Sequence, residues 1–94
     1  MLLALELHLP AARTLKEKRA VVQPLLVGAR QRFSVAAAEV GHQDLHQRAS
    51  LAMVAVGASA GHVEEVIDHV ERWVWGREEL EVVSCDRTWL NTEA

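Results

Sequence analysis

Residues 33–57 read FSVAAAEVGHQDLHQRASLAMVAVG. Two apolar runs, Phe33–Val40 and Ala49–Gly57, both rich in valine and alanine, flank the polar segment Gly41-His42-Gln43-Asp44. The runs are too short for two helices with a turn between them. They are predicted to be antiparallel strands joined by a hairpin loop longer than the tight two-residue kind.

Working toward the N-terminus, Leu15, Val22, Leu25, Leu26, Ala29 and Phe33 recur on one stripe at helical spacing. Thr14 and Glu17 sit three apart at its start and read as a capping box. Pro24 removes one helical hydrogen bond and predicts a bend near Ala20. Gly28 weakens the helix by about 1 kcal/mol relative to alanine. Before it, Leu3, Leu5, Leu7 and Leu9 alternate with Ala4, Glu6 and His8, which predicts a strand with one buried face, closed by Pro10.

Working toward the C-terminus, Ser59 is placed to cap a second helix, with Glu64 and Glu65 near its positive end. Val63, Val66, Ile67, Val70, Trp73 and Val74 form its stripe, and Gly76 stops it. Leu80–Trp89 alternates again as a fourth strand. The order is β-α-β-β-α-β. Two single-stripe helices need one sheet face to cover, and right-handed crossovers put both on the same face. The expected fold is α+β, a ferredoxin-like βαββαβ sandwich. Its four-stranded antiparallel sheet has order 4-1-3-2, and both helices lie on one face. A differently ordered sheet of the same elements is the alternative.

The 94 residues fit one domain, 1–94, and half are apolar, enough for one core. Disorder is expected only within Asn91–Ala94. Cys85 is the sole cysteine, which rules out an internal disulfide and suits a cytoplasmic setting. Met1–Leu9 lacks a basic leader and does not read as a signal peptide, and no run has the roughly 18 apolar residues of a membrane helix. No membrane partner is expected.

The net charge of −3 conceals a division. Residues 1–48 carry seven cations (Arg13, Lys16, Lys18, Arg19, Arg30, Arg32, Arg48) against Glu6, Glu17, Glu39 and Asp44, a balance of +3. Residues 49–94 carry three cations against nine acids, a balance of −6. Such asymmetry can mark a polyanion-binding face.

Three motifs occur in order: Leu15-Lys16-Glu17-Lys18-Arg19, then Phe33-Ser34-Val35-Ala36-Ala37-Ala38-Glu39-Val40, then Asp44 with Gln47-Arg48-Ala49. Together they resemble the YlxP-like family of small bacterial proteins of unknown function, from about Leu3 to Trp89. The resemblance implies a ferredoxin-like fold. Family members are often encoded near translation and ribosome-maturation genes, which implies a ribosomal or RNA connection. His46 departs from the aromatic residue of that pattern.

Catalytic readings are weak. His42 and His46 are four apart, but on a loop, with Cys85 on a distant strand. Asp44 has no carboxylate partner at hydrolase spacing, and Ser59 has no base. Gly57 and Gly61 make no phosphate-loop fingerprint. No cofactor or metal is implied. Phe33, Trp73, Trp75 and Trp89 do not sit mid-strand where an RNA-recognition sheet stacks bases.

The unusual feature is cationic. Helix starts favour acids, yet this one opens with Lys16, Lys18 and Arg19. They either pair with Glu17, Glu39 and Asp44 or face an anion. The topology gathers the helix start and the loop at His42–Arg48 at one end, and Trp75 and Arg77 are expected there too. The candidate anion or RNA site is therefore Arg13, Lys16, Lys18, Arg19 and Arg48. Lys18 lies closest to the apolar stripe, so Arg13, Lys16 and Arg19 are the better contacts. Ala36, Ala38, Val40, Ala52, Val54 and Val56 leave apolar residues on both sheet faces, which predicts a homodimer. The expected function is a non-enzymatic binding or assembly module that contacts RNA or a ribosomal partner. The alternative is a homodimeric interaction module with no nucleic-acid role.

Overall fold

A computed structural model describes residues 1–90 of the chain; the expectation for Asn91–Ala94 lies outside the described residues. The elements are β1 (Leu2–His8), α1 (Leu15–Phe33), β2 (Ala36–Gly41), β3 (Arg48–Val54), α2 (Ala60–Trp75) and β4 (Glu81–Thr88). The sheet is antiparallel in order β2-β3-β1-β4, the expected 4-1-3-2.

Alternation in β1 sets the layers. Leu3, Leu5, Leu7 and Leu9 are buried against Ala49, Leu51, Met53 and Ala55 of β3 and its extension, and against Val22, Leu25, Leu26 and Ala29 of α1. Val63, Ile67, Val70 and Val74 bring α2 into the same cluster. Both helices therefore cover one face, and the other is left open.

The helix starts follow the sequence. Thr14 Oγ1 accepts from the Glu17 amide at 3.1 Å, and Glu17 Oε1 accepts from the Arg13 amide at 3.2 Å, one residue earlier than in a standard capping box. Ser59 Oγ accepts from the His62 amide at 3.2 Å. The first turn of α2 holds no acid, because Glu64 and Glu65 fall just beyond it.

Element boundaries differ from the sequence reading by one to three residues. Phe33, which the sequence places both on the α1 stripe and at the start of β2, ends α1, and its ring packs edge-on against Trp73 at 5.6 Å. The chain then turns through Ser34 in the left-handed conformation (φ 55°, ψ 40°), whose amide donates to the Arg30 carbonyl. Helix α1 continues through Pro24, which stands exposed on its outer side. Strand β3 begins one residue earlier than expected and is three residues shorter at its end.

Gly28 is dictated by packing. A Cβ there would stand 2.8 Å from Cη2 of Trp73, so the absent side chain lets α2's indole lie on α1. At the sheet margin, the Arg30 guanidinium donates to the Ala37 carbonyl of edge strand β2 at 2.6 and 3.2 Å.

Candidate functional site

The end of the domain where β1 leaves the sheet is built by pairing. Register sets His8 opposite Arg48, the Leu9 amide donates to the Gln47 carbonyl at 2.9 Å, and Gln47 Nε2 reaches the Pro10 carbonyl at 3.3 Å. These bonds hold the hairpin loop against the segment that leads into α1.

Lys18 completes it from inside. It is 2 % exposed, and its ammonium donates to the His42 carbonyl at 2.6 Å and lies 2.7 Å from Glu39 Oε2. That carboxylate contact is off hydrogen-bond alignment, so it is an ion pair only. His42 is left-handed (φ 60°), which points its carbonyl to the helix side while its ring stands 3.6 Å from Glu6 on the open face. Glu6 in turn accepts from Ser50 Oγ at 2.7 Å.

Of the five candidate cations, Arg13, Lys16 and Arg19 are exposed at this end. Arg48 is half-buried, with an enclosed Nε that has no hydrogen-bond partner among the described residues. Lys18 is enclosed and matched by Glu39, so it is not open to an outside anion. Arg77 is not at this end. It stacks on the Trp73 ring at 4.7 Å, beside Arg32 and the second half of α1, about 20 Å along the helix from Leu15. Trp75 is exposed at the end of α2.

The open sheet face is ordered by register into rows. Thr88, Leu2, Val54 and Ala36 form one, and Asp86, Ala4, Ala52 and Ala38 the next. Ser84, Glu6 and Ser50 form a polar third, beside Gly41. Ala4, Ala36 and Ala38 are exposed, Leu2, Ala52 and Val54 half-buried, and Val40 and Val56 are 59 % and 90 % exposed at the margins.

A third cluster joins α2 to β4. Arg87 Nε meets Glu71 Oε1 at 2.7 Å and its Nη2 meets Asp68 at 2.8 Å, while the Cys85 thiol donates to the same Glu71 oxygen at 3.2 Å. The guanidinium holds the Glu71 carboxyl below its ordinary value. Burial, with the Glu71 carboxylate, pushes the Cys85 thiol up to about 11. Such a thiol stays protonated near neutrality and is a poor nucleophile. Sequence reading missed this cluster and the Glu6–Ser50–His42 contacts, since the first is made by packing of α2 on β4 and the second by cross-strand register and the hairpin loop, not by spacing along the chain.

Among the described residues, no helix is long and apolar enough to cross a membrane. Residues 1–87 match the family described as "Protein of unknown function (DUF503)". The chain is 33 % identical over 79 residues to the "Uncharacterized protein YlxP" of Bacillus subtilis (strain 168), a span covering 84 % of this chain and 86 % of that protein.

Proposed function

The chain belongs to the DUF503 family of proteins of unknown function, and from its geometry we propose that it is a non-enzymatic assembly module acting through its open sheet face as a two-fold dimer. The observation that carries this is the cross-strand row Ala4–Ala52–Ala38, bordered by Leu2, Val54 and Ala36, on a face no helix covers. An uncovered apolar patch of this kind is the usual mark of an interface. A two-fold axis parallel to the strands lays each row on its own copy, with Ala4 and Ala52 at the centre and Asp86 and Thr88 of β4 at the border, and alanines let the two sheets approach closely.

Size sets the strength. Four strands about 4.8 Å apart and seven residues of about 3.3 Å give a face of roughly 19 by 23 Å. That is about 440 Å² per copy in projection, below the roughly 800 Å² per partner of a standard interface. The dimer is therefore of moderate affinity, and Val40 and Val56 at the margins contribute to it. Light scattering across micromolar to millimolar concentration is expected to approach twice the 10.4 kDa of the chain. Ala52→Arg, in the centre of the face, is expected to hold the protein at one chain. A parent protein that stays monomeric throughout the range overturns the reading.

A second reading is favoured by a separate observation. Arg13, Lys16 and Arg19 are exposed where the pinned loop meets the start of α1. Three exposed cations on one end suit the phosphates of RNA, the ribosomal connection that the family resemblance implies.

A further inference from the structure

Helix α2 packs on the second half of α1 through Trp73, and it ends at Trp75. From Gly76 the chain runs to Glu81 without a helix. The first two turns of α1 therefore lack a helical neighbour on that side, and a cleft of about 310 Å³ opens there. Its floor is Leu9 and Ala12, both buried, and its wall is Ala20 and Val21 of α1. No residue of α2 lines it. The alanines are the reason there is room.

The volume is at the foot of the range of small-molecule sites, about 300–1,000 Å³. The charged groups on the rim are two carboxylates, Glu17 from α1 and Glu79 from the loop before β4. Glu17 uses only Oε1 in the helix cap. Neither side chain enters an ion pair among the described residues. Arg13, Lys16 and Arg19 are exposed at the same end but do not line the cleft, so its own charge is that of two carboxylates over an apolar floor, which disfavours an anion and gives a neutral alcohol little. It suits a short branched hydrocarbon ending in a cation. We infer that this cleft binds a small aliphatic ammonium compound, with its chain on Leu9, Ala12 and Val21 and its ammonium at the carboxylate rim. The site lies in the helix layer and is independent of the sheet-face reading.

The probe is isopentylamine, with isopentanol and isovalerate as matched neutral and anionic controls. Titration of the isotope-labelled protein at pH 7, followed by amide NMR, is expected to shift Ala11, Ala12, Ala20 and Val21 saturably with the amine. The dissociation constant is expected to be about millimolar, in keeping with roughly six non-hydrogen atoms. Glu79→Gln is expected to weaken binding roughly two- to fivefold, the effect of one exposed charge pair. Ala20→Leu, an exposed substitution that fills the cleft, is expected to abolish the shifts while leaving the rest of the spectrum unchanged. Three results overturn the inference: no saturable shift with the amine, equal binding of isovalerate or isopentanol, or undiminished binding in a folded Ala20→Leu protein.

Discussion

The Lys18 ammonium lies 2.7 Å from a carboxylate oxygen of Glu39, joining the second turn of α1 to the far part of β2, and the lysine is almost wholly enclosed. A buried pair of this kind costs about as much desolvation as it returns in attraction, but breaking it leaves one charge stranded.

Glu39→Gln is therefore expected to destabilise the protein by about 3 kcal/mol, the low end for a broken buried pair, because the His42 carbonyl still serves the lysine. Lys18→Met combined with Glu39→Gln is expected to recover most of that loss. Urea unfolding at pH 7 measures both. A double variant no more stable than the single would show that the pair is not the source of the effect.

Cys85 is expected to react slowly. With its thiol raised from 9.0 to about 11, the native thiolate at pH 8 is about a hundredfold scarcer. The greater nucleophilicity of a more basic thiolate offsets about tenfold of this, leaving about a tenfold slower reaction with a disulfide reagent than in denaturant. Glu71→Gln removes a carboxylate that raises the thiol and should speed the native reaction. The raised value also bears on stability. A group whose folded pKa is raised stabilises fully below its unfolded value, near 9.0, and loses that contribution as pH rises toward about 11. Cys85→Ser is expected to flatten the fall in stability over that alkaline window. Equal slopes in parent and variant would reject the assignment.

For the basic end, reversing Lys16 and Arg19 to glutamate is expected to leave the fold intact, since both are exposed. If RNA binds there, affinity falls and the salt slope shrinks by about 0.7–0.9 for each phosphate no longer neutralised. Filter binding of a short RNA at low salt decides it. Absence of binding by the parent protein, or an unchanged slope in the variant, removes the RNA reading and leaves the dimer reading untouched.

The elements can be read from the sequence because local signals agree with one another. Leu3 to Leu9 alternate cleanly, Thr14 with Glu17 and Ser59 mark both helix starts, and two stripes demand one shared sheet face. The enclosed position of Lys18 is also legible, since it borders the stripe, and Glu39 is among its expected partners. The features that escape the sequence depend on tertiary contact. Phe33 reads from the sequence both as the last stripe residue of α1 and as the first residue of β2, and its packing on Trp73 across the helix pair goes with the helical place. Topology alone puts Arg77 beside the start of α1, but the face of Trp73 draws it to the other half of that helix. The inward carbonyl and outward ring of His42 follow from one left-handed residue that is not glycine.

The guanidinium of Arg30 on the Ala37 carbonyl has a consequence for growth. A sheet can polymerise end to end only if two unlike margins, β2 of one molecule and β4 of the next, are both free to join. With the Ala37 carbonyl of the β2 margin already taken by Arg30, one rung of that head-to-tail register has no free acceptor, which disfavours it at every step. A like-with-like pairing, which closes on itself and leaves no margin to extend, is disfavoured less than an open series by this contact.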